Sequence, residues 1–206
     1  MALQYSITAI GTMMVQSSLN ILGSTLVAAY TAAGKIEQVV TQAYVAMGTT
    51  MATYGAQNMG AGKYDRAKQT LGYAIVIAVC FGLFIGGVVQ FAADGAVSLF
   101  STDPAVIRLG GQYFRGYIWD CLFAGIHFSF SGYFCAHGKS VLSFIHNIVA
   151  IVCVRVPGVY LTSKLFPATL FPMGIATACG SLLSVIICLV AYAWLGKKDR
   201  EETVEG

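Results

Sequence analysis

The sequence predicts an all-α, polytopic membrane protein, a bundle of six transmembrane helices. Two observations carry this. Of its 206 residues, 57% are hydrophobic and only 10% charged, where soluble domains carry roughly 25% charged residues. The charges also avoid long runs: none falls within 1–34, 38–62, 69–93, 121–138, 140–154 or 165–196. A helix needs about 20 mainly apolar residues to cross a bilayer, and that pattern recurs six times. The small balance of +3 and the scatter of the basic residues indicate no nucleic-acid partner. The expected surroundings are a lipid bilayer.

The spans read as about 3–30, 38–60, 69–93, 109–134, 139–163 and 170–195, followed by a cytoplasmic tail at 196–206. The first two are separated by the charges Lys35 and Glu37. Gly60-Ala-Gly-Lys-Tyr-Asp-Arg66 is a polar turn between the second and third. Ser101-Thr-Asp-Pro104 supplies Asp103 as a helix N-cap and Pro104 at the first helical position, opening the fourth helix outside the bilayer. In the fifth, Pro157 lacks an amide and frees the carbonyl of Cys153, which predicts a kink that Arg155 can help satisfy. Phe166-Pro-Ala-Thr-Leu-Phe-Pro172 separates the last two helices. Gly82 and Gly86 on the third make a small-xxx-small pair suited to close helix packing. The six cysteines lie in apolar segments without metal-like spacing and read as small buried thiols. No signal-peptide pattern precedes Lys35, the first charge.

Alternating the loops places Lys63, Arg66, Lys68, Lys139, Lys197, Lys198 and Arg200 on one side and Lys35, Arg108 and Lys164 on the other. The positive-inside rule then puts both termini in the cytoplasm of a multi-pass protein of the cell (inner) membrane.

Apart from Lys139 at the very start of the fifth, only Arg115, Asp120 and Arg155 are charged within the spans. Ionisable residues inside a membrane face a protein interior or a watered cavity and often mark a substrate or ion path. On the fourth helix Tyr113, Tyr117, Asp120, Ala124, His127 and Ser131 recur every three or four residues and share a face. The second helix carries a similar stripe of Gln42, Ala46, Thr49, Thr53 and Gln57. Gln4, Thr8, Thr12, Gln16 and Asn20 on the first helix read instead as interhelical glue. Asp120, His127, Arg155, Tyr117, Thr49, Thr53 and Gln57 are therefore the candidate residues of a substrate or cation path. Two roles stay open for Asp120: a site for sodium or a proton, or a fixed ion pair with Arg155 or Arg115. His127, two turns away, is a candidate proton relay. His137 and His146 read as interfacial or packing residues. No Gly-x-Ser-x-Gly, paired-aspartate or His-Glu-x-x-His pattern is present, so no enzyme, metal centre or cofactor is expected.

Four stretches carry a family resemblance: Leu22-Gly-Ser-Thr-Leu-Val-Ala-Ala-Tyr30, Tyr54-Gly-Ala-Gln-Asn-Met-Gly-Ala-Gly-Lys-Tyr-Asp-Arg-Ala67, Phe100-Ser-Thr-Asp-Pro104 and Val154-Arg-Val-Pro-Gly-Val-Tyr160. In this order and spacing they resemble the C-terminal six-helix half of multidrug and toxic compound extrusion (MATE) transporters, over essentially all of 3–195. The resemblance implies a twelve-helix antiporter of two lobes, exporting drugs or organic cations in exchange for sodium ions or protons. It also implies that this chain is a truncated or split product lacking its N-terminal lobe, completed by that lobe or by a second copy. Some members carry an acidic residue where Thr8 stands here, and members can carry one on the helix that holds Asp120. The alternatives are a flippase of the same superfamily for lipid-linked sugars or polysaccharide, and a non-transporting membrane remnant.

Overall fold

The computed structural model describes residues 10–11, 13–17, 19–20 and 23–205, with side chains as far as Gly196. All regular structure among the described residues is helical. The described residues of 10–20 are helical, and a break follows at Gly23, whose φ of 113° suits a residue without a Cβ. Helix α1 then runs unbroken over Ser24–Gly60. The interruption expected at 31–37 is therefore absent, and Lys35 and Glu37 stand on a continuous helix. Alanine-rich sequence around Ala28, Ala29, Ala32 and Ala33 sustains the helix there, and two charges are no obstacle to helical backbone. At 37 residues and 1.5 Å per residue, α1 is about 55 Å long. That exceeds the roughly 30 Å of a bilayer's hydrocarbon.

Helix α2 spans Tyr64–Ser98 and α3 spans Pro104–Ala136. Asp103 caps α3 as its sequence predicts, its carboxylate accepting from the Ala105 amide at 2.8 Å with Pro104 next to it. Two turns share one form: Gly62 and Gly138, at φ 72° and 69°, each precede a lysine whose amide closes back on the preceding helix. Lys63 N–H donates to Asn58 O and Lys139 N–H to Phe134 O, both at 2.8 Å.

The fifth rod has three parts: α4 (Ser140–Ala150), a π-helical segment (Ile151–Arg155) and α5 (Val156–Leu165). Proline at 157 removes one amide, and the turn before it widens so that Val156 N–H reaches Ile151 O. The expected kink is thus taken up as a widened turn. Helix α6 covers Phe171–Glu205, so its backbone continues through most of the tail expected from 196.

Helix α3 is the axle of the bundle, packed by α1, α2 and α6. Glycines allow the close crossings. A Cβ on Gly132 would run into the Gly48 carbonyl of α1, and one on Gly116 into the Phe171 carbonyl of α6. A Cβ on Gly82 of α2 would lie only 3.1 Å from the Cys121 carbonyl oxygen, the close packing its spacing suggested. Large apolar side chains cover the outside, among them Ile77, Phe84 and Phe91 on α2 and Ile186, Leu189 and Val190 on α6. Tyr64–Ser98, Ser140–Leu165 and Phe171–Gly196 are each long and apolar enough to cross a membrane. The cysteines divide: Cys121 and Cys188 are buried, Cys135 is half-buried, and Cys80, Cys153 and Cys179 are exposed. The expectation of six buried thiols fails for those three because an apolar segment here has one face toward lipid.

Candidate functional site

The polar stripe of α3 turns into the bundle. Tyr113, Tyr117, Asp120, Ala124, His127 and Ser131 are all buried, and α3 is enclosed on three sides. Asp120 sits on the π segment's side of α3, and Arg155 Nη2 donates to its Oδ1 at 3.3 Å. The aspartate side chain is 3% exposed and the arginine 27%. Arg155 therefore turns inward to a carboxylate instead of satisfying the freed carbonyl of Cys153. The hydroxyls of Tyr117 and, from α6, Ser181 lie beside the same carboxylate.

A second carboxylate belongs to this cluster. Glu37, on α1, accepts from the Tyr113 hydroxyl at 3.1 Å. A small cavity of about 30 Å³ opens between them, lined by Tyr30, Glu37, Tyr113, Arg155 and Thr177. It is large enough for one water molecule or a small cation. Aromatic packing holds the wall in place: Tyr30 stands edge-on to Tyr113 at 5.0 Å, and Tyr113 stacks on Tyr117 at 6.1 Å. Thr41 and Tyr117 share a hydrogen bond of 3.1 Å that ties α1 to α3.

Glu37 is the member of this cluster that sequence reasoning misses, because Lys35 and Glu37 read as a loop. A signal was present. Tyr30, Ala33, Glu37, Thr41, Tyr44, Gly48, Met51, Gly55 and Asn58 recur every three or four residues across the supposed loop, which marks one helix face. In formal charge the cluster holds two carboxylates and one guanidinium. That leaves room for one proton or one monovalent cation. Arg115, grouped by sequence with Asp120 and Arg155, stands apart and pairs with Asp94 at 2.9 Å near the end of α2.

Thr49, Thr53 and Gln57 do not join Asp120. They are exposed on the opposite side of α1, and the Thr49 and Thr53 hydroxyls bond their own helix at Val45 O and Thr49 O. The residues expected to line one substrate or cation path therefore lie on two surfaces. One is enclosed within the bundle, and one is an outer stripe that runs from Thr31 through Lys35, Gln38, Gln42, Ala46, Thr49 and Thr53 to Gln57, every member exposed. Near its start is a groove of about 670 Å³ where the Lys35 ammonium lies 5.5 Å over the Phe100 ring. On the first helix, Gln16 donates to Thr31 at 3.3 Å, in keeping with interhelical glue. Gln4, Thr8 and Thr12 lie outside the described residues.

Among the described residues no three His, Cys, Asp or Glu side chains gather as a metal site. The family model described as MatE matches residues 1–161. The chain belongs to the MatE family. This MatE chain is 27% identical over 186 residues to a FAD transporter of Shewanella oneidensis, covering 85% of the chain and 41% of that protein. It is 23% identical over 188 residues to the probable multidrug resistance protein YoeA of Bacillus subtilis, covering 89% and 40%. In structure it is similar to the bent form of the Vibrio cholerae MATE transporter VcmN, with a TM-score of 0.84 at 18% identity, covering 98% of this chain and 45% of that one. The MatE chain thus spans about two-fifths of the length of the curated relatives it matches.

Proposed function

We propose that this chain forms one lobe of a secondary antiporter that exports organic cations or drugs in exchange for sodium ions or protons. The observation that carries the reading is the uncompensated charge of the Glu37–Asp120–Arg155 cluster. A partly desolvated carboxylate beside hydroxyl groups suits one small cation or one proton, exchanged as the site opens to either side. The exposed stripe of α1 is the wall that faces substrate. It is completed by a second six-helix lobe, supplied by another chain segment or another copy. Sodium meets oxygen ligands at the carboxylates and the Tyr113 and Tyr117 hydroxyls; no cofactor takes part. Both termini lie in the cytoplasm of the cell membrane.

The test measures sodium-22 binding to the purified chain in lipid nanodiscs, alongside ethidium efflux from cells expressing it. Glu37→Gln is expected to weaken sodium binding, or its competition by protons, by about tenfold, the loss of one charged ligand. Binding and efflux that are both indifferent to Glu37→Gln and Asp120→Asn would sink the coupling role.

A second reading is favoured by the groove at Lys35 and Phe100, whose volume lies in the usual range for small-molecule sites. A cation over an aromatic ring suits an anionic, planar cargo such as a flavin nucleotide, the cargo named for the Shewanella relative. Export of FAD that falls on Lys35→Gln, with no export of ethidium, would select it.

A further inference from the structure

A second buried polar group lies in the half of the bundle toward the Lys139 turn, and no part of the proposed site uses it. His146 on α4 is 1% exposed. Its Nδ1 is 2.6 Å from the Ser184 hydroxyl of α6, and its Nε2 is enclosed with no hydrogen-bond partner among the described residues. A buried polar nitrogen without a partner loses its hydration uncompensated, so packing alone is a poor reason to have histidine here. The His127 ring of α3 lies 5.8 Å from it, centroid to centroid. Toward the turn, the Ser131 and Ser143 hydroxyls are in direct contact, and Ser143 is one helical turn before His146.

Helix α6 joins this group to the charge cluster. Thr177, Ser181, Ser184 and Cys188 recur every three or four residues, and all are buried. Thr177 lines the cavity of Glu37, Ser181 lies beside Asp120, and Ser184 touches His146. Ser181 and Ser184 are separated by about 4.5 Å of helix rise on one face. From Tyr113 to Ser131 the parallel stripe on α3 covers about 27 Å, close to the roughly 30 Å thickness of a membrane's hydrocarbon. Its only non-polar member is Ala124, and the α6 serines bridge the level at which it sits.

We infer that Ser181, Ser184 and His146 form an internal proton relay that connects Asp120 with the Lys139 turn through the body of the lobe. This rests on the proton arm of the proposed function. In one passage the Asp120 carboxyl gives its proton to Ser181 Oγ, and Ser181 passes its own to Ser184. Ser184 protonates His146 Nδ1, and His146 releases a proton from Nε2 toward His127 and the Ser143–Ser131 contact. One proton enters and one leaves, only O–H and N–H bonds form or break, and nothing is oxidised or reduced. The charged and titratable groups near the two rings are each other, Arg155 from the π segment, Asp120 two turns along α3 from His127, and Cys188 one turn beyond Ser184 on α6. Arg155 is held by Asp120, at the outer end of the relay.

The test is infrared spectroscopy of the full chain in lipid membranes after a pH jump, following the carboxylic-acid band that Asp120→Asn removes. The band is expected to respond about tenfold more slowly in Ser184→Ala and His146→Gln, each of which removes one hydrogen-bonded link. Ser184→Thr, which keeps the hydroxyl, is expected to retain the wild-type rate and so to separate relay from folding damage. Equal rates in all variants overturn the relay while leaving the export reading intact. No Asp120 band at any pH also overturns it and restricts export to sodium coupling, which the sodium-22 measurement decides separately.

Discussion

At the scale of single residues, the Asp120–Arg155 pair is asymmetric, and the asymmetry has a measurable sign. Asp120 is almost fully enclosed, whereas Arg155 keeps about a quarter of its side chain exposed. Removing the arginine strands a buried carboxylate, a change worth about 3–5 kcal/mol when a pair is broken on one side. Removing the aspartate leaves an arginine that retains Glu37 and some solvent. Arg155→Ala is therefore expected to lower the melting temperature in detergent more than Asp120→Asn, and combining Arg155→Met with Asp120→Asn should recover part of the loss. Two glycines make a second contrast. A Cβ on Gly132 meets the Gly48 carbonyl backbone, while Gly72 has open space around it. Gly132→Ala should destabilise by about 1–3 kcal/mol, the usual cost of overpacking. Gly72→Ala should stabilise by up to about 1 kcal/mol through helix propensity, and the same thermal scan reads both.

At the scale of elements, sequence marked where helices start better than where two apolar runs join. Ser101-Thr-Asp-Pro104 named its own cap, and the structure has that cap. Asp103→Ala is expected to cost α3 roughly 0.5–2 kcal/mol, with Asp103→Asn nearly neutral, because both side chains offer an oxygen to the first-turn amides. Faster hydrogen exchange at the Ile107 amide, which donates to Asp103 O, would accompany that loss. The break at Gly23 was harder to see. One glycine inside a long apolar run is a weak mark, while Lys35 and Glu37 drew the boundary to themselves. That displacement hid Glu37 and with it half of the charge cluster. Asp120, His127, Tyr117 and Arg155 were legible because a polar residue in an apolar helix has few places to go. Which side of α1 Thr49, Thr53 and Gln57 occupy was not legible, since a stripe's periodicity fixes a face but not its neighbour. The π segment at Ile151–Arg155 follows from Pro157, though sequence gave only a kink and not the inward turn of Arg155.

At the scale of the whole molecule, orientation rests on seven basic residues against three. Cysteine probes in a background free of the six native thiols test it: a membrane-impermeant reagent added outside should label Thr102→Cys and spare Gly62→Cys. The reverse pattern would invert the lobe and would move the Lys139 turn to the outer surface. The fold itself was plain from the charge-free runs, and the family from four short stretches. The cargo was not, because the proposed substrate wall, the exposed stripe of α1, has no facing wall among the described residues.

The continuity of α1 has a mechanical consequence. Between Ser24 and Gly60 there is no proline and no break, so the helix is one continuous rod about 55 Å long that starts after the break at Gly23. A tilt of about 10° about that end would carry Gln57 through roughly 9 Å, with Glu37 moving about two-fifths as far, in proportion to its distance along the rod. The Glu37 cavity and the exposed stripe are thus two points on one rod. A shift of Glu37 toward Tyr113 by a few tenths of an ångström would be enlarged about 2.5-fold at the far end, with no intervening joint to absorb it.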